Sequence, residues 1–182
     1  SNNKIKSKNK RGTVRLYITI LVFFHVASCS MYADRSDGPG DIKKVKYIKV
    51  IPKKEKLSKY GNPSTYKVFG KTYRLLPTHV GYEEIGFASW YGKKFHGRLT
   101  SSREKYDMYK FTAAHKTLPI PCYVSVKNLE NGKSIIVRVN DRGPFVEGRI
   151  IDLSFAAAKI LGVFESGTAR VLVKSINIDG KK

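Results

Sequence analysis

Cysteine is nearly absent from this sequence. Cys29 and Cys122 are the only two in 182 residues, so a disulfide framework cannot be what stabilises the fold. No Cys/His cluster has metal-ligand spacing. No segment repeats, and no apolar run reaches the roughly 20 residues that a membrane-spanning helix needs. Acids are scarce as well. The balance of 35 Lys+Arg against 14 Asp+Glu gives a net charge of +21, which favours an anionic partner or milieu such as nucleic acid, phospholipid or a carboxylate-bearing polymer. With 41% hydrophobic residues, the chain has enough apolar material for one modest core.

Residues 1–15 hold six cations and no acid, and the apolar run LYITILVFFHV follows, ending in small residues. This order predicts an export leader over 1–28 that is removed rather than folded. Val26-Ala27-Ser28-Cys29 has the form of a bacterial lipobox, which predicts lipidation of Cys29; two or more acyl chains are enough for stable anchoring. The plainer alternative is an ordinary secretory signal with a chance cysteine. Ser30, in place of an aspartate, favours the outer membrane, facing the periplasm. Export removes nucleic acid as a partner, and loss of the six leader cations lowers the charge from +21 to +15. Cys122 is then left without an intramolecular partner, and in PIPCYVSVKNL it reads as a small core hydrophobe on a strand.

Residues 29–61 read as a disordered basic tether, with eight lysines against two acids between Asp41 and Lys59. The same run would also suit attraction to anionic lipid heads or stem-peptide carboxylates. STYKVFGKTYRLLP, within a lead-in at 62–80, predicts a hairpin turning at Gly70-Lys71. Short strands are expected at IGFASWYG, CYVSVKNL, KSIIVRVN, GRIIDL and ARVLVKSINI, with a further turn at Asn131-Gly132. One helix is expected at SFAAAKILG, with Ser154 as N-cap and Gly162 at its end. The class is mainly β, a small closed or nearly closed barrel.

GFASWYGKKFHGRLTSSREKYDMYKFTAAHKTLP and VSVKNLENGKSIIVRVNDRGPFVEGRIIDLSFAAAKILG together resemble the rare lipoprotein A family of Gram-negative envelopes, from about Gly81 to Ile176. The resemblance implies a six-stranded double-psi β-barrel over 81–178, similar to that of expansins. It also implies a lytic transglycosylase that cuts peptidoglycan glycan strands internally and uses no cofactor. Glu104, His115 and Asp141 match the family's functional glutamate, histidine and aspartate. Trp90, Tyr91, Phe95, His96, Thr100, Tyr106, Asp107, Asn140 and Arg142 stand where members line the groove. The chain departs from the family at Arg103, where a glycine is usual before the glutamate, and it stops at Lys182 with no C-terminal septum-targeting domain expected.

Cleavage without water requires one carboxyl that protonates the leaving oxygen and then accepts the proton of the sugar's own 6-hydroxyl. Asp141 is the expected acid/base. Glu104 is expected nearby, either as a stabiliser of positive charge or as a carboxylate lifting the pKa of Asp141, and His115 is expected to orient one of them. Asn140 and Arg142 are expected to bind sugar substituents, while Trp90 and Tyr91 offer flat apolar surface. Local sequence also allows Asp141 as turn chemistry before Gly-Pro. Asp152 in IIDLS reads as helix-start or loop-bracing rather than catalytic, and Tyr106-Asp107 likewise as loop-bracing. The expected partners are glycan strands and, through Cys29, a membrane; the expected state is a monomer. The competing readings are a non-catalytic, wall-loosening binder and an envelope lipoprotein whose barrel binds a protein.

Overall fold

The structure is a computed structural model that describes residues 37–178; the leader and Cys29 lie outside the described residues. Strands β1 (Thr65–Val68) and β2 (Lys71–Arg74) form an antiparallel hairpin. Its two-residue loop is Phe69-Gly70, both at positive φ (47° and 78°), so the turn sits one residue earlier than expected from the Gly70-Lys71 pair. Six strands follow: β3 (Glu83–Tyr91), β4 (Thr112–His115), β5 (Cys122–Asn128), β6 (Ser134–Asp141), β7 (Arg149–Ser154) and β8 (Ala169–Ser175). They close in the order β3-β7-β4-β6-β5-β8, with β3/β7 and β4/β6 parallel and the other neighbours antiparallel.

Alternation explains most of this barrel. Val124, Val126, Val137, Val139, Val171 and Val173 are all fully buried and point inward at every second position of β5, β6 and β8. Each such valine contributes about 1.5–3 kcal/mol of burial. Leu153 of β7 and Ala113 of β4 complete the same interior. The strand absent from the sequence expectation is β4: TAAH is only four residues long, and its two alanines lack the β-branched signal.

Helix α1 (Phe155–Leu161) begins and ends where its caps predict. The Ser154 hydroxyl accepts from Ala157 N–H, and Gly162 takes the left-handed conformation at φ 76°. Phe155, Ala156, Ala157, Ala158 and Leu161 are buried, so the helix is enclosed on more than one face.

From Asp37 onward the expected disordered tether is instead laid against the barrel. Asp37 accepts from the N–H groups of Gly92 and Lys94, and Asp41 N–H donates to Tyr109. Val45 and Val50 pack on the core, and Tyr47 meets Phe111 edge-on at 5.8 Å. The lysines of this run are all exposed. Val45 and Val50 of this strip turn inward, whereas Tyr47, Ile48, Ile51 and Leu57 stay exposed with the lysines.

Candidate active site

The loop Thr100–Glu104 builds both candidate carboxylate sites by docking onto the end of β6. Ser101 N–H and Oγ donate to Asp141 Oδ1 at 2.8 and 2.7 Å, and Arg142 N–H adds a third bond at 2.8 Å. Asp141 Oδ2 has no hydrogen bond among the described residues. Thr100 is buried, and its hydroxyl bonds Ser102 Oγ and accepts from Glu104 N–H, so it braces the loop rather than facing a ligand.

Glu104 is gripped by a cation that the sequence reading missed. Arg138 donates to both its oxygens at 2.7 and 2.9 Å, and Asn140 Nδ2 adds a bond at 2.8 Å. Burial alone would raise the Glu104 pKa, but these bonds and the guanidinium charge outweigh it and hold the carboxyl below its ordinary range. Arg138 also makes two bonds at 2.9 Å to Glu55, which in turn accepts from Tyr123. Arg138 was legible only as an outward residue of an alternating strand, and Glu55 lay in the presumed tether. The Arg103 guanidinium does not reach Glu104. Arg103 occupies the left-handed region at φ 68°, as a glycine would, and its side chain lies over Tyr60 at 5.5 Å. Its conformation costs about 1–2 kcal/mol relative to an ordinary backbone.

His115 orients neither carboxylate through its ring. Nδ1 accepts from the N–H groups of Thr117 and Leu118, so the proton is assigned to Nε2, which faces the Tyr82 hydroxyl at 2.8 Å. Burial, with help from Arg142 and Lys116, pushes its pKa down to about 3 and keeps it neutral. Its backbone carbonyl accepts from Arg142 instead. Four of the five N–H donors of the Arg142 guanidinium go to the carbonyls of Gly61, His115 and Leu118 and to Asn62 Oδ1, so it clasps loops rather than facing a sugar.

The aromatic candidates divide. Trp90 packs on Phe155 and Phe164 at 5.9 and 5.1 Å as part of the core's edge, not as an open platform. Tyr91 is buried and stacks on Tyr106 at 4.2 Å. Tyr106 donates to Tyr91 O, and Asp107 accepts from Tyr109 N–H, which bears out loop-bracing for that pair. Phe95 is 38% exposed and meets Tyr91 edge-on, while His96 Nδ1 accepts from Met108 N–H. Cys122 is a buried free thiol whose pKa burial pushes up to about 12, as expected of a core residue rather than a nucleophile.

A cleft of about 650 Å³ runs past Glu104, Arg138, Asn140, Thr112 and Asp107. Asn140 lines this cleft, whereas Arg142 and Ser101 line a separate, largely apolar hollow with Tyr66 and Phe145; Asp141 lies between Asn140 and Arg142 in the chain and lines neither. Asn140 Oδ1 is buried with no hydrogen-bond partner among the described residues, while the buried Tyr91 and Thr112 hydroxyls face each other. An orphan such as Asn140 Oδ1 costs about 1–3 kcal/mol unless a ligand or water satisfies it. Among the described residues no group of three or more His, Cys, Asp or Glu side chains is placed to hold a metal ion, and no helix is long and apolar enough to cross a membrane.

A closed six-stranded barrel with two parallel pairs, whose cleft runs beside carboxylates braced by a crossing loop, defines a double-psi β-barrel protein. The family model for lytic transglycolases matches residues 83–173, half of the chain, and the chain belongs to that family. The endolytic peptidoglycan transglycosylase RlpA of Vibrio cholerae is 49% identical over 170 residues, 91% of this chain and 65% of the relative. Its namesake in Pseudomonas aeruginosa is 58% identical over 127 residues, 70% of this chain and 37% of the relative. That of Neisseria meningitidis is 57% identical over 126 residues, 69% of this chain and 52% of the relative. The chain therefore spans less than two thirds of the length of each of these relatives.

Proposed function

We propose that the chain is a lytic transglycosylase that cleaves peptidoglycan glycan strands internally and leaves 1,6-anhydro-muramyl ends, acting in wall remodelling and daughter-cell separation. The observation that carries this reading is a half-buried Asp141 fixed by Ser101 and Arg142 N–H through one carboxyl oxygen while the other has no hydrogen bond among the described residues. A carboxyl with a free oxygen can exchange a proton with a glycosidic oxygen or a sugar hydroxyl. Family membership and the relatives' shared name support the same substrate.

In this mechanism Asp141 gives its proton to the glycosidic oxygen as the bond to the muramyl C1 breaks. The muramyl 6-hydroxyl then attacks C1 and returns its proton to Asp141, so the net reaction consumes no water. Glu104, held ionised by Arg138, is suited to stabilise the positive charge that develops on the sugar and not to donate the proton. His115 acts as a positioning residue through its carbonyl, which helps fix Arg142 next to Asp141. Phe95, with its exposed face, is the aromatic best placed to meet a pyranose.

The leader, lipidation at Cys29, an outer-membrane address facing the periplasm, a monomeric state and freedom from nucleic acid complete the proposal. The exposed lysines between Lys43 and Lys59 add attraction to anionic lipid or wall carboxylates. Incubation with amidase-treated sacculi, followed by mass spectrometry, is expected to yield 1,6-anhydro products. Binding to sacculi without such products would establish a wall-binding module in place of the enzyme, and absence of binding would favour a protein partner. Palmitate incorporation that survived Cys29→Ala would refute the anchor.

A further inference from the structure

Four neighbouring strands of the barrel wall carry one polar row. Ser89 of β3 pairs with Asp152 of β7, Asp152 pairs with Ala114 of β4, and Ala114 pairs with Asp141 of β6. Directly paired residues share a face, so all four side chains stand on the same side of the wall. A bulge decides the last pairing. Ala113 pairs with Val139, and the register then skips Asn140, which brings Asp141 onto the face of Asp152. Two strand spacings of about 4.8 Å separate the two aspartate backbones, and the residue between them is an alanine whose small methyl lets the carboxyls approach above it. Gly143 passes over this row: a Cβ added there would stand 3.8 Å from the Ala114 methyl and 3.9 Å from Asp152 Oδ2.

We infer that Asp152, and not Glu104, is the second carboxyl of the acid/base site, a positioning residue that pairs with Asp141 across Ala114. The inference rests on the transglycosylase reading for its role in cleavage, but the pairing itself does not.

The surroundings of Asp152 support it. Burial raises its pKa first; the Ser89 hydroxyl and the charges of Arg149 and Lys116 act against that, and Asp141 pushes it further up, with a net rise. Arg149 lies on its own strand, Lys116 follows β4, and Ser89 and Tyr91 come from β3. Just past β6, Arg142 turns its guanidinium to loop carbonyls, which leaves Asp141 as the β6 group whose charge acts on Asp152. The phenol of Tyr91 reports the same convergence. Burial and the stacked Tyr106 hold its pKa well above the ordinary value, and the charges of Asp141 and Asp152 both add to that rise. Carboxyls that interact from one face of a sheet lose their protons in separate steps that belong to the pair. A second carboxyl on the Asp141 face of the wall can keep a proton at hand for the start of the reaction. Glu104 cannot serve this purpose while Arg138 holds its charge.

The test is a carbon-13 carboxyl titration of the full chain by NMR, read together with the pH profile of anhydro-product formation. Asp141→Asn is expected to lower the Asp152 midpoint by about half a pH unit or more. In cleavage, Asp152→Asn is expected to move the alkaline limb to lower pH, whereas a merely structural loss would reduce the rate equally at every pH. Glu104→Gln is expected to leave both the Asp152 midpoint and the alkaline limb in place. An unchanged Asp152 midpoint in Asp141→Asn overturns the pairing, and because Asp141 is only half buried this variant reads the coupling even if Asp152→Asn fails to fold. A shifted midpoint in a chain that forms no anhydro product would uphold the pairing while refuting the transglycosylase reading.

Discussion

Asp141 and Glu104 are fixed by the same five-residue loop, yet their surroundings differ in kind. The donors at Asp141 are neutral: one hydroxyl and two backbone N–H groups, all on a single oxygen. At Glu104 they are a bidentate guanidinium and an amide, spread over both oxygens. Neutral donors place a carboxyl without a guanidinium bound to it, since the neighbouring Arg142 turns its own to loop carbonyls, and they leave its second oxygen free for proton exchange. A guanidinium fork neutralises its partner and keeps it ionised. Two carboxylates that look equivalent in sequence are thus prepared for different work, one for proton transfer and the other for standing charge.

The sharpest way to break this contrast is at Asp141. Asp141→Asn keeps the size and removes the proton donor, and anhydro-product formation is expected to fall about 10²–10⁴-fold, whereas Glu104→Gln should cost less. The next effect concerns His115, which supports the Asp141 side. Its folded pKa of about 3 lies below the ordinary 6.5, so the unfolded chain takes up a proton that the folded one refuses. Stability should therefore fall as pH drops below 6.5, by at most about 1.4 kcal/mol per pH unit from this group. In urea titrations between pH 6.5 and 4.5, His115→Asn should flatten that slope; an unchanged slope would show that His115 protonates in the folded state.

On the Glu104 side, Arg138→Met leaves Glu55 and Glu104 facing each other without a cation. Because Glu104 is partly exposed, the expected loss is about 1–3 kcal/mol at neutral pH, less than for a fully buried pair. Both glutamates have lowered pKa values, so the clamp's contribution is complete above their ordinary 4.5 and disappears as pH falls below it. The variant and the parent should accordingly converge in stability in acid. The smallest effect belongs to Arg103→Gly, which relieves the left-handed strain but loses the contact with Tyr60 and loosens the unfolded chain. A gain of no more than about 1 kcal/mol in thermal unfolding is expected.

The parts of the site that were legible in the sequence were those carried by local pattern. Asp141 stood out because it ends an alternating strand and precedes Gly-Pro, and the structure bonds it to Ser101 of the loop that also carries Glu104. Arg138 and Glu55 were passed over, and Asp152 was read only as helix-start or loop-bracing, because each is an ordinary charge locally. One is an outward residue of a strand, one lies in a lysine-rich run, and one precedes a helix cap. Their importance comes from partners 34, 83 and 63 residues away. Trp90 and Arg142 erred the other way: both residue types suit sugars, but here packing and loop carbonyls had already engaged them.

By itself the sequence determined the alternating valines that make the barrel interior, the Ser154 and Gly162 signals that bound α1, and the export and lipidation pattern expected ahead of the barrel. These depend on neighbours a few residues apart, where strand period, capping and composition act directly. Only the tertiary structure decided which cation meets Glu104, what the His115 ring binds, and that skipping Asn140 puts Asp141 on the face of Asp152. Those outcomes follow from strand register and from one bulge, and register is set by pairing between distant segments, where a shift of one residue sends every side chain to the opposite face.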